Sequence, residues 1–320
     1  MRRALNSLLY YVCYGATFVL SLLPFRVLYA VADALYYLVY HIVRYRRKLV
    51  RRNISTAFPD KTATEILSIE RGFYHWLCDY FVETIKLASI SEKEMRRRMV
   101  FHNTDVIDRL TAEGTSVALL LGHFCNWEWV STLPISIERN RCFCGELYHQ
   151  LRNKVADRLF LKLRQRFFTT CVNKNEALRT LVRENQQRPS VVGFIADQKP
   201  KWNNIHLWVN FLNHRDTPVF TGTERIIKML NQAFVYSDLS RPRRGYYECN
   251  FILIEQHTHD MPDYTLTEQY MQLLEDSIRR QPQYYLWSHD RWSRSREEFE
   301  RLYYIKDGRV VPKAQTSRAE

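Results

Sequence analysis

Glycine is scarce in this chain, with 9 among 320 residues. That scarcity leaves no Gly-rich linker and no low-complexity tract, and no internal repeat is visible. Cysteine offers no framework either. The seven thiols (Cys13, Cys78, Cys125, Cys142, Cys144, Cys171 and Cys249) are odd in number and never form a CxxC pair. This argues against a disulfide scaffold and against structural zinc, and it fits a reducing compartment. No ligand spacing calls for a metal or redox cofactor. Acidic residues are also short, 34 against 47 basic ones, for a net charge of +13 and a pI of about 9.4. Such a balance points to an anionic partner. Nucleic acid has no motif behind it, because no zinc finger, helix-turn-helix or RNP signature is present. An anionic membrane surface fits better, since aromatics make up 14% of the chain and Tyr and Trp suit an interface. The length suits one large domain or a domain with an appendage.

The N-terminus is where the long apolar runs lie. After Met1-Arg2-Arg3, the run Leu5 to Leu23 is broken only by Asn6, Ser7, Thr17 and Ser21 among clearly polar residues, and Pro24 ends it. No small-residue cleavage site precedes Pro24, which sets a signal peptide aside. Phe25 to Val43 remains mostly apolar, with Arg26 and Asp33 inside it. Arg44, Arg46, Arg47, Lys48, Arg51 and Arg52 follow. The pattern predicts an anchor that spans the bilayer or lies deep in its interface. The basic cluster would meet anionic headgroups and hold the body on the cytoplasmic side. Arg2 and Arg3 compete for that same side. The plainer alternative is a buried helical hairpin.

The stretch Ser116 to Trp129 organises the rest. A short run apolar on both faces reads as a buried parallel strand, and Gly122 would let the chain turn out of the sheet. His123 then stands at the carboxyl end of a strand, where open α/β sheets place their chemistry. An imidazole there can take a proton from a hydroxyl near neutral pH. Glu128 could orient its other nitrogen. On an unbroken helix five residues separate two side chains by about 140°. The two can therefore meet only if residues 122–126 form a turn and Glu128 lies in the first helical turn beyond. The plain alternative makes His123 a hydrogen-bonded strand-end residue and Glu128 a solvated carboxylate.

Around this centre, Thr62 to Leu87 has helical periodicity, with Glu83 in its last turns, and Ser91 to Met99 reads as a short capped helix. Phe101 to Ile107 is a strand leading into a helix that ends at Gly114. Trp127 to Ile137 reads as helix limited by Pro134, and Phe143 to Leu147 as a weak strand. Leu151 to Phe168 is a basic helix, either a solvated face or a surface for phosphates or an acidic carrier. Glu176 to Gln186 is another helix. A second buried strand, Ser190 to Ala196, ends in Asp197-Gln198, so two loops could share one site. Asp197 could equally be a turn residue ahead of Pro200. His214 to Thr223 reads as a loop entering a helix, Ala233 to Leu239 and Glu248 to Glu255 as paired strands, and Leu266 to Arg280 as a helix. The polar tail after Asp307 reads as disordered.

Gly122-His123-Phe124-Cys125-Asn126-Trp127-Glu128 resembles the H-x4-D/E motif of the lysophospholipid acyltransferase superfamily, in the branch that adds late acyl chains to lipid A. Arg46-Arg47, Asn53, Ala57-Phe58-Pro59, Glu83, Tyr148, Asn153-Lys154, Ala196-Asp197-Gln198, Phe220-Thr221-Gly222 and Pro282 to Trp292 follow the family's order, over nearly the whole chain. The resemblance implies an α/β fold, glycerolipid acyltransferase-like, in which a central mixed sheet is flanked by helices. Residues 1–52 would be membrane-associated, 53–307 the acyltransferase domain and 308–320 a polar tail. It implies acyl transfer from acyl carrier protein or acyl-CoA to a membrane glycolipid acceptor, with no cofactor and no covalent acyl-enzyme, at the cytoplasmic face of a bacterial inner membrane. His123 would be the general base and Glu128 its partner. Asn126, Tyr148, His149, Arg152, Asp197, Gln198, Thr221 and Arg291 would bind substrate. Backbone amides after Gly122, or a nearby Arg or Lys, would hold the oxyanion. Two departures stand out. Cys125 occupies a position that is often glycine, which suggests a packing limit rather than a nucleophile. Tyr148-His149 replaces a common Tyr-Arg, which opens the acceptor to a lysophospholipid, a phosphatidylinositol mannoside or an aminolipid. A non-catalytic binder of anionic lipid is the reading from a different class.

Overall fold

The computed structural model describes residues 2–313, with side chains from Asn6 onward. The charges of Met1-Arg2-Arg3 and the last residues of the tail lie outside that range. Three helices open the chain: α1 (Arg2–Leu22), α2 (Phe25–Tyr36), which runs on as a wider π turn to Ile42, and α3 (Arg47–Ala57). Helix α4 (Ala63–Lys86) follows. Thr62 caps it in a reciprocal capping box with Glu65, which satisfies two of the amides a helix start leaves open. Then come α5 (Glu92–Arg98), β1 (Met99–His102), α6 (Thr104–Ala112), β2 (Val117–Leu121), α7 (Trp127–Val130), β3 (Phe143–Tyr148), α8 (Lys154–Arg164), β4 (Thr170–Asn173), α9 (Ala177–Asn185) and β5 (Ser190–Ile195). The remainder is β6 (Leu207–Phe211), β7 (His214–Val219), α10 (Gly222–Met229), β8 (Ala233–Arg243), β9 (Tyr246–Glu255), α11 (Thr265–Arg280), α12 (Arg296–Leu302), β10 (Tyr303–Lys306) and β11 (Arg309–Pro312).

Seven strands form the central sheet in the order β1-β9-β8-β2-β5-β3-β4. Only the β8–β9 hairpin is antiparallel, so the sheet is mixed and α/β, as expected. β2 lies at its centre with every residue buried, the consequence of a strand apolar on both faces. Gly122 earns its place differently from the expectation. Its φ is not positive; a Cβ there would run into the buried Leu274 side chain of α11, so any larger residue would force Leu274 to shift. The left-handed residue of this turn is Cys125, at φ 51°.

The helix read over Trp127 to Ile137 stops at Val130, with only a short 3-10 turn at Leu133–Ile135, and two segments read as loop or tail are strands. His214–Val219 is a strand, not a loop, and pairs with β6 in a two-stranded ribbon. Arg309–Pro312 pairs with β10, so the start of the tail is ordered. In each case the partner strand supplies hydrogen bonds that a polar composition does not announce.

The N-terminal helices pack on α4 and α8. Among the described residues no single helix is long and apolar enough to cross a membrane; the two apolar segments pass that test only together, across a bend of 114°. Their outer face is nevertheless bare: Leu8, Val12 and Val19 of α1 and Val27 and Val31 of α2 are exposed. The basic cluster stays mostly exposed, but four of its members also have partners elsewhere in the chain. Arg51 and Arg47 approach the buried Glu70, Arg52 pairs with Asp290, and Arg46 donates to the Ser288 carbonyl. Asn53 donates to the carbonyls of Trp287 and His289. Arg46, Arg52 and Asn53 thus hold the start of the chain to the Pro282–Trp292 segment.

Candidate active site

β2 and β5 are parallel neighbours with Leu121 opposite Ile195. Their ends are level, and the next residues reach across: His123 Nδ1 lies 2.6 Å from Asp197 Oδ1, and the His123 amide donates to Asp197 Oδ2 at 3.2 Å. Burial alone would raise the Asp197 carboxyl. The His123 ring and its two hydrogen bonds, helped by the Arg291 cation, outweigh that and hold it below the usual range. An ionised Asp197 can only accept, so Nδ1 carries the proton, and in the neutral imidazole Nε2 keeps its lone pair. The Gln198 side-chain amide sits 3.3 Å from Nε2. The Trp127 indole stands edge-on to the imidazole, with ring centroids 5.1 Å apart.

Glu128 shares no hydrogen bond with His123. Trp127, the first residue of α7, comes between them and donates its indole N–H to Glu128 at 3.2 Å. Glu128 is buried and takes two bonds of 2.6 Å from Arg164 and one of 3.1 Å from the Tyr80 hydroxyl. Burial works against its charge, but the Arg164 fork prevails and keeps its carboxyl low. The expected His123–Glu128 pair is thus two separate units: a His123–Asp197 couple and a Glu128–Arg164 ion pair.

Both units border one cavity of about 610 Å³. Its floor is a single face of the sheet. Leu119 and Leu121 of β2, Gly193 and Ile195 of β5, and Glu146 and Tyr148 of β3 lie on that face; Leu119, Gly193 and Glu146 share one row. Trp127, Leu133, Pro134, Phe160 and Leu161 roof it. A mostly apolar slot with a basic nitrogen at the strand ends suits an acyl chain whose carboxyl end meets His123.

The chain matches, over residues 1–294, the family model of bacterial lipid A biosynthesis acyltransferases. The chain belongs to that family. A comparison with curated proteins returned no match. The lipid A acyltransferase match takes in the N-terminal helices and the whole site, and it ends just ahead of α12.

The other expected site residues divide. Tyr148, His149 and Gln198 line the cavity. Arg152 is exposed outside its lining, and Thr221 is buried just before α10, also outside it. Asn126 is structural. Its side chain caps α7 through the Trp129 amide, donates to the buried Glu83 at 2.8 Å and is itself fully buried, outside the cavity lining. Arg291 is buried, and none of its guanidinium nitrogens has a hydrogen-bond acceptor; its charge acts on Asp197 through space. The amides proposed for the oxyanion are occupied: those of His123, Phe124 and Cys125 donate to Asp197, to the Gly122 carbonyl and to the Tyr284 carbonyl. Gln198 is the donor left beside Nε2.

Cys125 is fully buried, and burial pushes its thiol well up, away from nucleophilic thiolate character. Its positive φ gives the backbone reason why glycine suits that position. Arg164 and Glu146 were missed from sequence. Arg164 sat in a run of basic residues with nothing to mark it as the one that turns inward, and Glu146 was one polar residue in a weak strand.

Proposed function

We propose that this lipid A acyltransferase family member moves a fatty acyl group from a thioester, on acyl carrier protein or CoA, to a hydroxyl of a lipid A precursor. His123 Nε2 takes the proton of the acceptor hydroxyl as its oxygen attacks the thioester carbonyl. The Gln198 amide meets the oxyanion that develops. The intermediate then collapses, and the departing thiolate receives the proton from His123. General base catalysis of this kind contributes about 10²–10⁴-fold, and no covalent acyl-enzyme is required. Asp197 fixes the tautomer, Arg291 keeps Asp197 ionised, and the Glu128–Arg164 pair builds the wall of the chain pocket. The observation that carries the reading is the 2.6 Å contact of His123 Nδ1 with Asp197, which leaves Nε2 as the ring nitrogen free to act as base at a mostly apolar cavity.

The bare faces of α1 and α2 support a protein lying in the membrane interface; as part of the same proposal we put it on the cytoplasmic side of a bacterial inner membrane. Charged substitutions at Val12 and Val19 should shift the protein from the membrane to the soluble fraction; unchanged fractionation would remove these faces from the anchor.

Mass spectrometry of total lipids from cells with and without the gene tests the reaction. Lipid A lighter by one acyl chain in the deletion, restored by the wild type but not by His123→Ala, is the expected result. Loss of an acyl chain from another lipid class would move the acceptor, a possibility raised by His149 at the cavity. No lipid change would favour a non-catalytic lipid binder.

A further inference from the structure

Away from the His123 end, the mostly apolar cavity carries a charged pair on its wall. Arg164 and Glu146 face each other there, with Nε 3.6 Å from Oε1, and their side chains are 23% and 20% exposed. Both line the cavity. Arg164 is already neutralised by Glu128 through two short bonds. Glu146 is therefore surplus to charge balance. Oε1 accepts only from the Cys171 thiol, at 3.2 Å. Among the described residues, Glu146 Oε2 and Arg164 Nη1 have no hydrogen-bond partner. A pocket for a plain hydrocarbon would be better served by an apolar residue at 146, because a chain lying against this half-buried carboxyl would strip water from its unpaired oxygen without replacing it.

We propose that Glu146 and Arg164 bind a hydroxyl on the acyl chain, so that the cavity selects a hydroxylated chain over an unsubstituted one. A hydroxyl accepts from Nη1 and donates to Oε2, matching both free atoms at once. The inference rests on the acyl-transfer reading of the site. Burial, together with the nearby Glu128 charge and against the Arg164 cation, raises the Glu146 carboxyl to about 7. A hydroxyl can serve either protonation state by exchanging its donor and acceptor roles. The row of Glu146 lies level with Leu119, four residues before His123. At roughly 3.3 Å per residue that is about 13 Å along the floor. The hydroxyl therefore belongs part-way down the chain, not beside the thioester carbonyl.

The test uses the full-length protein in detergent micelles, with a total lipid extract of the deletion strain as acceptor. The donors are dodecanoyl thioester and its chain-hydroxylated isomers on acyl carrier protein. At least one isomer should be consumed with kcat/KM about 10-fold or more above the unsubstituted chain. Glu146→Leu should abolish that preference by improving use of the unsubstituted donor, while Glu146→Gln, which keeps an acceptor and a donor, should retain most of it. Equal use of every chain by the wild type would overturn the proposal, even if Glu146→Leu fails to fold. So would a preference that survives in a folded Glu146→Leu. Consumption of no thioester at all would overturn the acyl-transfer reading, and this proposal with it.

Discussion

Replacing Asp197 by Asn separates the two carboxylates near His123. Asp197 accepts from both the His123 amide at 3.2 Å and Nδ1–H at 2.6 Å. Asn offers one oxygen for these two donors. If the oxygen keeps the amide, the side-chain NH₂ faces Nδ1, and the ring must turn Nδ1 into the acceptor. The proton then moves to Nε2, and the base is lost. The same change in the Ser-His-Asp triad lowers kcat by about 10⁴-fold. A loss of about 10³–10⁴-fold is expected here. Stability should fall by only about 1.5–3 kcal/mol, the scale of one charge-assisted hydrogen bond. Glu128→Gln should do the reverse. It leaves Arg164 buried without its main counter-charge, which costs about 3 kcal/mol, while the His123–Asp197 couple stays intact. Initial rates of thioester consumption with purified variants, alongside thermal melts, read both quantities. An Asp197→Asn variant with near-normal turnover, paired with a well-folded but inactive Glu128→Gln, would refute the assignment and restore Glu128 as the catalytic partner.

The raised Glu146 carboxyl, about 7 against an ordinary 4.3 or so, gives a pH-dependent stability. Between those values the folded state holds more protons than the unfolded one, so stability declines as pH rises toward 7 and the penalty is complete above it. Glu146→Gln should raise the melting temperature more at pH 8 than at pH 5, by an amount worth about 1–3 kcal/mol; equal shifts at both values would contradict the assignment. At Gly193 a Cβ meets only ordinary contacts, so a larger side chain would project into the cavity. Gly193→Leu should lower kcat/KM for long acyl donors relative to short ones, and an unchanged chain-length profile would place the chain elsewhere. Cys125→Gly relieves the left-handed strain and should keep thioester consumption within a few-fold of wild type, whereas a loss like that of His123→Ala would make the thiol part of the chemistry.

The strands and helices around the site were readable because their residues are patterned by burial. The runs at Val117–Leu121 and Ser190–Ile195 are apolar on both faces, and α4 and α11 keep helical spacing. Strands such as His214–Val219 and Arg309–Pro312 were not readable. Their residues carry no alternation that distinguishes them from loops, and only a partner strand makes them strands.

The sequence by itself determined the α/β order, the place of His123 at a strand end and the arrival of Asp197-Gln198 at the end of a second strand. Local composition encodes these, since a continuous apolar run followed by polar residues terminates in the same way wherever it lies. Tertiary structure decided which groups meet. Parallel pairing of β2 with β5 makes their ends level and gives His123 to Asp197, 74 residues away. The insertion of Trp127 gives Glu128 to Arg164, 36 residues away, and the third strand of the floor brings Glu146 to the same arginine. Those partners are set by register and by the direction in which buried side chains point, and neither is written in spacing along the chain.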